Sequence, residues 1–196
     1  IGLTLITGMT VMAGSLQKAI DKMASSAIRA DYVVSMANGN ELSAGIDEKL
    51  KATDGVTATS PMRGGYGRID GKTENLTGVT GATIGKLTDL KVDQGAFKVA
   101  GSQVVVDEDT AKPHGWKAGS AFTVNYEDGR KQPLTVASVY EGNELIDGIL
   151  LDTSFLTPHL ESPAAPPVLV KTSACASYGT KVNLETALGA NPAIKV

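Results

Sequence analysis

The chain has 196 residues, 42% of them hydrophobic and 20% charged, so it is long and apolar enough to bury the core of one domain or two small ones. Lys and Arg number 18 against 21 Asp and Glu, a net charge of −3, and aromatics are 5%; with no basic excess for phosphates and few rings for base stacking, nucleic acid is excluded as a partner. A single cysteine, Cys175, excludes an internal disulfide and a cysteine-rich zinc site.

Residues 1–16 read IGLTLITGMTVMAGSL, and the first charge is Lys18. An uncharged run of this length spans roughly 25 Å as a helix, short of the roughly 30 Å of a full crossing. Gly2, Gly8, Ala13 and Gly14 suit close helix approach in lipid. In a soluble helix each glycine would cost about 1 kcal/mol relative to alanine. The run therefore reads as the outer end of a membrane helix. A buried helix of a soluble domain, a secretory segment ending near Ala13-Gly14-Ser15 and an interfacial helix are the competing readings. Leu16, Ala19, Ile20, Met23 and Ala27 keep helical spacing past Lys18, which predicts one rod running on to about Ile28 as a stalk.

Residues 31–36 have strand composition and are bounded by Asn38-Gly39-Asn40. Asn38 or Asn40 would cap a helix with Leu42, Ile46 and Leu50 on one face, stopped by Gly55. Residues 56–61 are extended, and Gly64-Gly65 and Asp70-Gly71 read as turns around residues 66–69. Residues 76–82 form a weaker strand, and Ile84, Leu87 and Leu90 a helical turn. Asn75-Leu76-Thr77 matches a glycosylation acceptor, a tripeptide common by chance. Residues 103–107 are a buried-type strand, and 108–115 a short helix ended by Pro113 and Gly115. Residues 121–126 and 133–140 alternate around a hairpin turn at 127–130, so this block reads as antiparallel. A short strand at 149–151, a helical turn at 154–160 and a linker with Pro163, Pro166 and Pro167 follow. The tail is a strand at 168–171, a helix at 177–188 with Tyr178, Val182 and Leu188 inward, a stop at Gly189 and an extended end.

Each end of the chain thus reads strand, helix, glycine, strand. The fold class is α+β with two lobes: a βαβ-type lobe built from both chain ends, residues 31–94 and 161–196, and an inserted antiparallel β-rich lobe, residues 95–160. Residues 1–30 would be the end of the first membrane helix and the N-terminal stalk helix.

Asp107, Glu108, Asp109 and His114 are the one acidic cluster with a histidine near it. Such a set binds a divalent cation or supplies a general base; it also suits a plain helix start, where acids favour the N-terminal dipole, and that reading is preferred. No Gly-x-Ser-x-Gly elbow supports a triad on His114 or His159. Gly78-x-x-Gly81 and Gly65-x-Gly67 lack the surroundings of a phosphate loop. No catalytic, cofactor or metal residue is assigned. Trp116 and Phe122 read as packed in the β lobe, with Trp116, which follows Gly115, the candidate partner contact.

The order of these segments carries a resemblance: an apolar end, a stalk, "ADYVVS", a helix, "DGVTATSP", then "VVVDEDTAKPHGWKAGSAFTVNYEDGRKQPLTVASVYEG", "PPVLVKT", a helix and "NPAIKV". It is similar to the extracytoplasmic domain of permeases of the MacB/FtsX-like ABC transporter family, over essentially the whole chain. The resemblance implies a porter-like lobe made from both chain ends and an inserted β-rich lobe, placed between the first and second membrane helices. It implies no active site and no cofactor in this domain, with ATP on a separate cytoplasmic ABC ATPase subunit. It implies a permease homodimer or heterodimer at the cell membrane, with this domain on the extracytoplasmic face. Its role would be to couple ATP-driven helix motion to substrate export or to extracytoplasmic partners. A secreted or periplasmic ligand- or protein-binding module is the alternative, and a small hydrolase using the acid cluster a third.

Overall fold

The computed structural model describes residues 29–36, 45–143, 146–161, 167–173, 178–189, 191–192 and 194–196. The expected membrane end and stalk, the Asn38 or Asn40 cap, most of the proline linker and Cys175 lie outside them. In chain order the first elements are β1 (Tyr32–Met36), α1 (Ile46–Lys51), β2 (Val56–Pro61), β3 (Arg63–Ile69), β4 (Lys72–Val79), α2 (Ile84–Leu87) and β5 (Val92–Gly95). Then come β6 (Gln103–Asp107), α3 (Glu108–His114), β7 (Ala121–Tyr126), β8 (Lys131–Tyr140) and β9 (Ile149–Asp152), and last β10 (Val168–Thr172), α4 (Tyr178–Ala187) and β11 (Ile194–Lys195).

The two chain ends interlock in a four-stranded sheet of order β11-β1-β10-β2. β10 is antiparallel to both β1 and β2, so those two run parallel with β10 between them. β1 is likewise antiparallel to β10 and β11 and lies between them. Each end is thus a split βαβ unit, and each unit fills the other's gap. Alternation sets the faces. Val34, Val168 and Val170 meet Ile46 and Leu50 of α1 and Leu184 and Leu188 at the end of α4. Val182 is 39% exposed, contrary to the inward position expected for it. Two residues along a helix turn about 200°, so Val182 and Leu184 cannot share a face.

The other face of this sheet offers Ala58 and Leu169 to Ile84 and Leu87 of α2 and to Val105, Tyr140 and Leu150. Those last three belong to a seven-stranded sheet of order β5-β8-β6-β9-β4-β3-β7, in which β7 also pairs with β8. Six strands therefore close into a ring, with β5 added on the flank of β8. The ring is filled by Ile69, Leu76, Val104, Val106, Phe122, Val124, Leu134, Val136, Ile149 and Leu151. The Val104-Val105-Val106 run is buried on both sides because β6 separates the ring interior from the face shared with the four-stranded sheet.

Two expectations are corrected. The block read as antiparallel is mixed: β4–β9 and β6–β8 are parallel pairs. Alternation reports which face a side chain takes, not the direction of the strand's neighbour, and α3 with β7 supplies the crossover that makes β6 and β8 parallel. Residues 63–79, grouped by sequence with the chain ends, pair in the seven-stranded sheet instead. Asp70 and Gly71 close β3 onto β4 with φ of 48° and 81°, the left-handed pair a tight hairpin needs. Gly64 and Gly65 are not a turn; they pair with Thr77 and Leu76 inside β3.

Candidate functional site

The sequence candidates converge on α3. Asp107 caps it, its Oδ1 accepting the Thr110 N–H at 3.2 Å. The residue is only 4% exposed. Burial raises its carboxyl pKa above the ordinary value; the Thr110 bonds oppose this, and the charges of Asp147 and Asp109 add to it. At the far end the Gly115 N–H donates to Lys112 O and the Trp116 N–H to Ala111 O, both at 3.1 Å or less. With Gly115 at φ 66°, this is a Schellman ending, and it aims Trp116 back toward the ring.

His114 is turned away from the acids it neighbours in sequence. Its Nε2 lies 2.9 Å from Glu74 Oε1 on β4, and its Nδ1 3.6 Å from Asp70 Oδ2. Asp107 and His114 sit at opposite ends of a seven-residue helix about 10 Å long. The acid cluster therefore splits in two, and among the described residues no three His, Cys, Asp or Glu side chains group as metal ligands. His114 stacks on Trp116 at 4.2 Å and 11°, and Trp116 on Phe122 at 4.2 Å and 19°. Two rings that close cannot share one indole face, so Trp116 is sandwiched. It packs partly buried against the ring core and can offer a partner only its edge.

A second cluster had no signal in sequence spacing. His159 Nδ1 lies 2.8 Å from Asp128 Oδ2, and its ring stacks on Tyr126 at 4.0 Å and 4°. The His159 bond, with the Arg130 N–H bond, lowers the pKa of the Asp128 carboxyl. Burial pushes the Tyr126 phenol up to about 12, with the Asp128 charge adding. Each histidine thus has a carboxylate and an aromatic face as its neighbours, an arrangement that packs the ends of the barrel strands.

A groove of about 550 Å³ opens between α2, residues 97–101 and the turn after β9. Its floor depends on Gly81, whose N–H donates to Asp152 Oδ2 at 3.1 Å. A Cβ there would collide with the Val99 carbonyl, so no other residue lets these segments approach. Asp152 Oδ1 in turn accepts the Ser154 N–H at 3.0 Å and hydroxyl at 2.6 Å. Its carboxylate is thus held in place, Lys86 and Lys98 have no ion-pair partner among the described residues, and Phe97 and Phe155 form the apolar walls of the groove. These are features for binding, with no activated nucleophile or acid–base pair among them.

Residues 1–188 match the model of the MacB-like periplasmic core domain. The chain belongs to that family. It is an extracytoplasmic domain of a MacB-like ABC transporter permease. Its fold is similar to that of the periplasmic region of MacB from Actinobacillus actinomycetemcomitans, with a TM-score of 0.63, 16% identity and 90% of each chain covered. It is also similar to the extracellular domain of the ABC-type transporter YknZ from Gram-positive bacteria, with a TM-score of 0.57, 14% identity, and 84% of this chain and 97% of that one covered. No curated protein matches it by sequence. Among its described residues no helix is long and apolar enough to cross a membrane.

Proposed function

We propose that this MacB-like domain is a non-catalytic coupler. It passes ATP-driven motion of the permease's membrane helices to substrate export or to extracytoplasmic partners. ATP sits on a separate cytoplasmic ATPase subunit, the permease works as a homodimer or heterodimer in the cell membrane, and this domain holds no cofactor. In the finer organisation that goes with this reading, residues 1–30 are membrane end and stalk, and the sheet from both chain ends is a porter-like lobe.

The observation that carries the proposal is how the incoming chain is fastened. The Arg29 and Ala30 N–H groups both donate to Leu87 O at the end of α2, at 2.8 and 3.1 Å, and the Asp31 N–H donates to Val170 O at 2.9 Å. Lys171 Nζ donates to Arg29 O at 2.9 Å. A pull on residue 29 therefore loads α2 and β10 together. Ser35 and Met36 pair antiparallel with Lys195 and Ile194, so the outgoing chain runs back toward the start of β1. Chain entering and leaving at one end of a sheet is what a domain moved by membrane segments requires.

The test uses the full-length permease with its ATPase in cells. Replacing residues 31–196 by a flexible Gly-Ser linker should leave membrane insertion and ATPase co-purification intact and abolish export. Protease added outside should cleave the native domain. Export that survives the replacement, or a domain found free of the membrane fraction, would overturn the proposal, the latter in favour of a secreted binding module.

A further inference from the structure

We propose that the groove between α2 and the Asp152–Phe155 turn is a docking site for an acidic segment of a partner protein. One apolar side chain of that segment seats between Phe97 and Phe155, and flanking carboxylates face Lys86 and Lys98. The inference needs only the folded domain, so it goes beyond the coupling role and does not depend on it.

Charge decides the occupant. The whole chain carries −3, yet this groove is lined by two lysines against one aspartate; Asp152 keeps its charge but is held by three neutral donors, and neither lysine has an acid partner among the described residues. The groove is thus a local reversal of the molecule's charge, which favours a negative ligand and steers its approach. Shape decides the class. Phe97 and Phe155 are half-buried, each packed against a core cluster, so their rings form walls rather than protrusions. Rings recessed in this way receive a side chain and do not insert into lipid. The floor is built for close contact, since Gly81 and Gly85 present backbone where side chains would otherwise stand. On Gly85 a Cβ would sit 3.8 Å from the Phe97 ring, ordinary contact, so this position accepts a side chain that would occupy the groove.

The probe is a fluorescent peptide with one Phe between two pairs of acidic residues. Its amide counterpart carries Asn and Gln in the acidic positions. Polarisation is read on the 196-residue chain at low salt and in 0.5 M salt. The acidic peptide should bind about tenfold more tightly than the amide peptide, and lose about tenfold at high salt. The Lys86→Glu/Lys98→Glu double variant should lose a similar factor, and so should Gly85→Glu, which adds a carboxylate at a groove-lining position whose Cβ makes only ordinary contact. Far-UV circular dichroism melts report whether each variant is folded. No binding of the acidic peptide to the wild type, equal binding of the two peptides, or unchanged binding by folded charge-reversal variants overturns the proposal. Binding to phosphatidylglycerol vesicles in place of peptide, abolished by the same variants, overturns it in favour of a membrane contact.

Discussion

At the scale of single residues, Asp107 shows how one side chain serves structure and opposes it at once. It satisfies a donor at the start of α3, and it holds a carboxylate with 4% exposure near Asp147 and Asp109. A folded-state pKa raised above the unfolded value means the folded state binds the proton more tightly. The stabilising contribution is then full below the unfolded pKa and is lost as pH rises through the folded one. Asp107→Asn keeps a cap and removes the buried charge. It should raise the melting temperature at pH 7, by less than about 1 kcal/mol of stability, and the gain should vanish in melts below about pH 4. A gain that persists at low pH would place the effect elsewhere. The same scale explains why the acid–histidine cluster read from sequence came apart. Proximity along a helix sets rise and azimuth, and His114 is claimed by Glu74, 40 residues away.

At the scale of elements, glycine carried the ambiguity. In sequence, Gly64-Gly65 and the turn at Asp70-Gly71 look alike. In the fold only the second reverses the chain. Gly65 leaves room for Leu156 and Leu160, and at Gly67 a Cβ would press into Val124 and stand 2.9 Å from Leu76 Cδ1. These glycines are thin places in a ring wall, and what they make room for lies far along the chain. Gly67→Ala should therefore overpack the ring and cost about 1–3 kcal/mol in urea unfolding. A neutral result would mean that β3 stands further from β7 than their pairing of Gly67 with Tyr126 implies. By contrast, α3 was legible in its extent: an acidic start and Gly115 are local signals and act locally, although Pro113, read as part of its end, lies inside the helix.

At the scale of the molecule, the cluster of Ala58, Leu169, Val105, Leu150 and Tyr140 joins both sheets. Apolar contact shared in this way predicts that the sheets unfold together. Trp116 fluorescence reports the ring, and far-UV circular dichroism reports every element; their urea transitions should coincide. An earlier transition at Trp116 would separate the ring from the rest. The segment at residues 29–31, hydrogen-bonded to α2 and β10, enters at this junction.

Taken alone, the sequence determined the alternation within strands, the short helices with their glycine stops, and the strand–helix–strand symmetry of the two ends. The order of those segments led to the MacB-like family. Only the tertiary structure decided which strands pair and in which direction, that residues 63–79 join the ring, that Trp116 is sandwiched, and that Lys86 and Lys98 line one groove. The physical reason is range. Propensity, capping and periodicity act within about one or two turns of chain. Strand partners such as Tyr32 with Val170, and ion pairs such as His114 with Glu74, are selected by packing among residues the chain brings together only when it folds.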